Sequence, residues 1–358
     1  MQSVVDWVES LSPWPEEFGI GRMRFLLDAL GDPQQRYPSV HVVGTNGKST
    51  ATRIVEAYLA GAGLNVGAYL SPHVRGWGER IRVDGAEADF ESAVRRVRAA
   101  AVAVGATQFE VVTAAAFAAF ADANVDAAVV EAGLGGRHDA TNVIDAPVVL
   151  LTNVDLEHTE VLGDTREAIA KEKLAVAGPG ATVVLPDREF CGLVPQADVL
   201  VGGAREAAEA FLGSSLERGE ELAVDLPGRL EWRSEHELWD GGHNPAGAAW
   251  LARHLPDREF VLVVSILADK DAARMLEELR PFAERVVATT SSNPRSRPSR
   301  ELAEIAAHVP FPSVEAVDDP AAALDRARDL AGASAAVLVT GSLYLLADLA
   351  RREEHRVE

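Results

Sequence analysis

The chain has 358 residues, a formal net charge of −21 and 47% hydrophobic residues. Two or three domains with a large core fit that length and composition, whereas so acidic a field argues against a protein that coats nucleic acid. The one cysteine, Cys191, allows neither an internal disulfide nor a cysteine metal cluster. No apolar run reaches the ~18 residues of a membrane span, and the first ten residues lack the basic and apolar segments of a secretory signal. These features lead to the expectation of a cytoplasmic protein with neither membrane nor nucleic-acid partners; a monomer is expected too, although these features barely bear on oligomeric state.

In chain order, a helix is predicted over Val4–Leu11 and another over Met23–Leu30, ended by Gly31 and Pro33. Ser39–Val43 reads as a buried strand. It runs into Gly44-Thr45-Asn46-Gly47-Lys48-Ser49-Thr50, and a helical pattern continues from Ala51 to Ala62. Strand, glycine turn with Lys-Ser, then helix is the context of a phosphate loop. Glycines let backbone N–H groups converge on an anion, and the helix N-terminus adds partial positive charge. Lys48 suits a β/γ-phosphate and Ser49 a magnesium ion. Two residues separate Gly44 from Gly47, where the usual loop has four, so a tight turn with a chance Lys-Ser is the competing reading.

Further along, strands are expected at Val66–Leu70, Asp126–Glu131, Pro147–Thr152 and Ala181–Leu185, with a short hairpin at Arg80–Val83. Helices are expected at 91–104, at Phe109–Ala121 and from a cap at Asp164 or Thr165 to about Ala177. The alternation argues for a doubly wound, mostly parallel α/β sheet. Ser71, Glu131 and His158 then fall just beyond strand carboxyl ends, where such sheets bind ligands. Hydroxyl, carboxylate and imidazole can together serve one or two Mg²⁺ ions.

Only four of the 34 basic residues are lysines: Lys48, Lys171, Lys173 and Lys270. Where arginine does most surface work, a retained lysine is a candidate for a compact point charge or a neutral amine. After a helical stretch at 203–222, Leu226-Pro227-Gly228-Arg229 reads as a linker. This divides the chain into a P-loop domain (1–226) and a smaller Rossmann-like α/β domain (227–358). In the latter, strands are expected at Leu238–Trp239, Phe260–Val264, Arg285–Thr289, Ser313–Val317 and Ala336–Thr340. The intervening helices end near His254 and cover 271–280, 299–308 and 320–331, with a last one from Leu343.

Nine stretches together resemble the folylpolyglutamate synthase/dihydrofolate synthase family of the Mur-ligase superfamily: HVVGTNGKST (41–50), GAYLSPHVRGWGERIRVDG (67–85), FEVVTAAAFAAFA (109–121), VVEAGLGGRHDATNVI (129–144), TNVDLEHTEVLGDTREAIAKEKLAV (152–176), PGRLE (227–231), DGGHNP (240–245), LADKD (267–271) and VLVTGSLYL (337–345). The resemblance implies an ATP-dependent ligase. ATP phosphorylates a folate or pteroate carboxylate, and the amine of L-glutamate attacks the acyl phosphate.

The resemblance also implies site roles. Asn46, Gly47, Lys48, Ser49, Thr50, Arg229 and Asp240 would hold ATP. Ser71 and Glu131 would hold a first Mg²⁺, and His158 with a carbamylated Lys173 a second. Phe109, Glu110, Val111, Val112, His138, Asp139 and Ala140 would meet the pterin. Lys48, Lys173 and His243 would be catalytic, with Asn244 beside His243. Departures are Ser49-Thr50 in place of Gly-Ser, a short 187–206 region, Glu206-Ala207-Ala208 in place of Asn-Ala-Ala, and His138 where the family favours leucine. The alternatives are an amino-acid ligase acting on a non-folate carboxylate and a non-catalytic nucleotide-binding relative.

Overall fold

The structure is a computed structural model that describes residues 2–15, 19–217, 222 and 224–357. It consists of two compact units. One runs through His73 and from Trp77 to Val224; the other runs from Asp225 onward together with Val74–Gly76.

The first unit contains α1 (Val4–Glu9), α2 (Gly21–Ala29), β1 (Ser39–Val43), α3 (Lys48–Gly61), β2 (Val66–Tyr69), β3 (Ile81–Val83), β4 (Ala86–Glu87), α4 (Phe90–Val104) and α5 (Gln108–Asp122). It continues with β5 (Ala127–Glu131), β6 (Val148–Leu151), α6 (Thr159–Leu162), α7 (Arg166–Leu174), β7 (Thr182–Leu185), β8 (Asp198–Val201) and α8 (Ala204–Leu212). Its sheet has the order β4-β3-β2-β5-β1-β6-β7-β8. All neighbours are parallel except β2–β3 and β3–β4.

Side chains alternate across this sheet, which explains the two covered faces. Val40, Val42, Val129 and Leu150 pack with α3 and α8, while Val130 packs with α1, α2, α4 and α5, and Val43 and Leu151 with α7. α5 is apolar almost all round and correspondingly buried. Each fully buried Val or Phe there contributes roughly 1.5–3 kcal/mol. The helix expected over 203–222 ends at Leu212, where Gly213 takes a left-handed cap; residues 218–221 of that expectation lie outside the described residues.

The second unit contains β9 (Glu231–Ser234), β10 (Glu237–Trp239), α9 (Pro245–His254), β11 (Phe260–Val264), α10 (Ala272–Leu279), β12 (Ala283–Ala288), α11 (Ser299–His308), β13 (Ser313–Ala316), α12 (Pro320–Ala331), β14 (Ala336–Thr340) and α13 (Leu343–Val357). The sheet order is β13-β12-β11-β14-β10-β9, antiparallel only at β9–β10. Phe260, Leu262 and Val264 face α9–α11, whereas Val261 and Val263 face α12 and α13. Among the described residues no helix is long and apolar enough to cross a membrane.

Candidate active site

Parallel register brings the carboxyl ends of β1, β5 and β6 level. Val42 pairs with Glu131, and Val43 with Leu151. The loops that follow therefore meet at one edge of the sheet. In the first of them Gly44 has φ +150° and Gly47 φ +78°. A Cβ on Gly44 would lie 1.9 Å from Thr152 Oγ1, so only glycine allows this close passage. Thr152 Oγ1 donates to the Asn46 carbonyl at 2.7 Å, and the Asn46 N–H donates to Asn153 Oδ1 at 2.8 Å.

Gly47 is the N-cap of α3, so Lys48, Ser49 and Thr50 form its first turn. Their N–H groups have no intrahelical acceptor, the arrangement by which a helix N-terminus can receive an anion. The Lys48 ammonium donates to the carbonyls of Gly44 at 3.0 Å and Thr45 at 3.2 Å.

Beside this turn lies a buried carboxylate, Glu131, 1% exposed. It accepts from Ser49 Oγ at 3.0 Å through one oxygen and from the Ser71 N–H at 3.0 Å through the other. Lys173, on α7 and also 1% exposed, donates to the Gly44 carbonyl at 2.8 Å and to Glu157 Oε1 at 2.9 Å. Burial pushes the Lys173 ammonium down to about 8; attraction to Glu157 offsets part of this, and Lys48 adds to it. For Glu157, burial acts upward but is outweighed by Lys173, Lys48 and His158, so its carboxyl lies below the usual range.

Residues 42–179 match the Mur ligase middle domain, and residues 228–343 match the Mur ligase glutamate ligase domain. A dihydrofolate synthase/folylpolyglutamate synthase of Mycobacterium tuberculosis is 34% identical, over 81% of this chain and 78% of that protein. The chain belongs to the folylpolyglutamate synthase/dihydrofolate synthase family. Among solved structures, E. coli FolC in complex with DHPP and ADP superposes with a TM-score of 0.87 at 27% identity, covering 99% of each chain. The bifunctional enzyme from Yersinia pestis complexed with AMPPNP and Mn superposes with a TM-score of 0.86 at 28% identity, covering 98% of each. Membership of the family makes this chain an ATP-dependent carboxylate–amine ligase of the Mur type.

Against that family's expected site, the structure brings Ser49, Ser71 and Glu131 into one contact network, with Lys48 next to Ser49 in the first turn of α3. His158 takes a left-handed conformation (φ 46°) at the start of α6, and its ring lies 4.0 Å from Glu160. Among the described residues no three His, Cys, Asp or Glu side chains gather as a metal cluster. Glu157, which sequence reasoning passed over, stands between Lys173 and His158 electrostatically. A buried lysine in a lysine-poor chain demands a counter-charge, and that was the available signal.

The residues expected to meet the pterin differ in exposure. Val111 and Val112 are fully buried in the core, because α5 has no polar face to turn outward. Glu110 is also buried, closing a capping box with Thr107 and pairing with Arg22 at 3.2 Å. Of these four, only Phe109 is partly exposed. Its ring packs 6.1 Å from that of Tyr69 and against Gly133, where a Cβ would come within 2.5 Å of it. His138 is exposed, and Ala140 is buried. Asp139 is buried, accepting from the N–H groups of Leu134 and Thr141 and from Thr141 Oγ1. Burial raises its carboxyl pKa against the opposing pull of those bonds.

In the second unit, Asp240 is 3% exposed and braces its own loop, accepting from Leu230 N–H at 3.0 Å and Gly242 N–H at 2.8 Å. Burial raises its carboxyl pKa although Arg229 pulls it down. Arg229 Nη1 donates to the Gly228 carbonyl at 2.9 Å. His243 Nδ1 lies 2.9 Å from the Gly241 carbonyl. A carbonyl can only accept, so Nδ1 carries the proton. Asn244 caps α9 through Gly247 N–H at 2.8 Å.

Proposed function

We propose that this chain adds L-glutamate to dihydropteroate, to a reduced folate, or to both. The observation that carries this reading is the buried carboxylate Glu131 hydrogen-bonded to Ser49 in the first turn after a lysine-bearing phosphate loop. Lys48 and the first-turn N–H groups of α3 would bind the ATP phosphates, with Asn46 and Gly47 shaping the loop. By resemblance, Arg229 and Asp240 would serve the nucleotide, and His243 would act in the reaction. Phe109, with the 133–141 loop carrying His138 and Asp139, would meet the pterin.

The residues fit a first Mg²⁺ well: Glu131, Ser49 and Ser71 are hard oxygen donors at the loop. A second ion at His158 and Lys173 fits differently. Lys173 as found is a cation paired with Glu157, and it becomes a ligand only as a carbamate. Bound Mg²⁺ supplies neutralisation of phosphate charge. The chain's own part is to hold the two anionic substrates against backbone N–H groups and Lys48.

We further propose a cytoplasmic monomer with neither nucleic-acid nor membrane partners; light scattering of the pure protein checks the oligomeric state. The functional test is ADP release with Mg²⁺ and L-glutamate, run with dihydropteroate, with tetrahydrofolate and with neither. A glutamate-sized mass gain in either pterin supports the proposal and names the activity. ATP binding without turnover of either pterin rejects the folate reading in favour of another carboxylate substrate.

A further inference from the structure

His41 lies on β1, three residues before Gly44, and is fully buried. Its Nε2 is 2.8 Å from Thr141 Oγ1. Thr141 Oγ1 is in turn 2.5 Å from Asp139 Oδ1, and Asp139 holds the N–H groups of Leu134 and Thr141. A hydroxyl has one proton, and here it goes to the carboxylate. Thr141 must then accept from His41, which fixes the imidazole as the Nε2–H tautomer. Among the described residues Nδ1 is left as a buried nitrogen without a hydrogen-bond partner. A second proton there would have no acceptor, and burial accordingly holds the ring pKa down to about 3. A histidine in this setting neither titrates near neutrality nor binds substrate. Leucine or valine would fill the strand position more cheaply, so the donated hydrogen bond is its evident contribution.

We infer that His41 is a positioning residue: a fixed donor that, through Thr141, orients Asp139 and the 133–141 loop against Phe109, and so sets how tightly the pterin substrate is held. This inference rests on the assignment of that loop to the pterin. The strand that delivers the phosphate loop thereby also anchors the other substrate's wall.

The test compares His41→Phe, His41→Gln, Thr141→Val and Thr141→Ser with the wild type, using whichever pterin the wild type turns over. Gln can present an amide N–H near the position of Nε2; Phe and Val cannot donate. His41→Phe and Thr141→Val are each expected to raise the pterin KM about tenfold or more, leaving ATP KM and kcat within about threefold. His41→Gln and Thr141→Ser are expected to restore most of the loss. Amide exchange in a peptide covering 133–141 should quicken about tenfold in the Phe and Val variants, with 44–50 unchanged. An unchanged pterin KM, or ATP KM and kcat deteriorating in step with it, overturns the inference. If the wild type turns over neither pterin, the folate reading fails on its own. Amide exchange then decides the relay, and unaltered exchange at 133–141 in His41→Phe overturns it.

Discussion

The Lys173 ammonium and the Glu157 carboxylate form an ion pair of 2.9 Å in which the lysine is almost wholly removed from water. Lys173 spends a second proton on the Gly44 carbonyl, so the pair ties α7 to the first glycine of the phosphate loop. A charge so deeply placed is tolerated because a carboxylate and a carbonyl both face it. The same burial that strains the ammonium makes a neutral amine accessible near pH 8, which is the state that CO₂ must meet. A carbamate there would stand beside the Glu157 anion, and the two would need a cation between them.

Lys173→Ala is expected to be inactive in ATP-dependent glutamate addition and to regain part of its activity with added acetate, a small carboxylate able to replace the carbamate. ADP release measured across an acetate series checks this. Full activity without acetate would remove Lys173 from the mechanism.

The depressed Lys173 pKa also has a sign for stability. The lysine titrates near 8 in the native protein and near 10.5 when unfolded. Between those values the unfolded chain holds a proton that the native protein has shed, so native stability rises with pH across that window. Below pH 8 the full penalty applies, roughly 3 kcal/mol. Wild-type stability measured by urea unfolding should therefore climb from pH 8 to 10 relative to Lys173→Met. Parallel pH profiles for the two proteins would show that Lys173 titrates normally.

The main elements were readable because period and punctuation agreed. The βα turn at 44–50 carries two glycines at positions of positive φ, and β11 is an unbroken apolar run. Three edge strands escaped: β4, Ala86–Glu87, which is exposed, β8, Asp198–Val201, which is largely exposed, and β9, Glu231–Ser234, which is mostly polar. An edge strand facing water carries neither a buried run nor a clean alternation. In the site, glycine and lysine announced the loop. Nothing in spacing distinguished Glu157 from its neighbours, nor separated Phe109, which reaches the surface, from Val111 and Val112, which do not. Those distinctions depend on which side of a helix the core occupies, and α5 is apolar on every side.

Gly44→Ala should damage both fold and nucleotide binding. The new methyl would overlap Thr152 Oγ1 and crowd the Thr152 backbone nitrogen at 3.2 Å. It would also demand φ +150° of an L-residue. Overpacking and backbone strain together suggest a loss of roughly 2–4 kcal/mol. Thr152→Ala in the same chain removes the hydroxyl but not the backbone contact, so it should recover only part of that loss. Thermal unfolding of the single and double variants measures both effects, and an unchanged midpoint for Gly44→Ala would refute the close approach.

Glu131→Gln separates the charge of Glu131 from its shape. The amide oxygen can keep the Ser71 N–H bond, and the amide NH₂ can donate to Ser49 Oγ, reversing the direction of the present contact. The variant should therefore fold with nearly wild-type stability. What it loses is the negative charge beside the first turn of α3, where the proposed Mg²⁺ would sit. The Mg²⁺ concentration for half-maximal ADP release should rise roughly 10- to 100-fold, and saturating Mg²⁺ should restore only part of the rate. Lys48→Ala makes the opposite change in charge: it should abolish ATP turnover, with loss of at least about 100-fold, and excess Mg²⁺ should not rescue it. A normal Mg²⁺ requirement in folded Glu131→Gln, or near-normal turnover in Lys48→Ala, would place the phosphate and metal chemistry somewhere other than this loop.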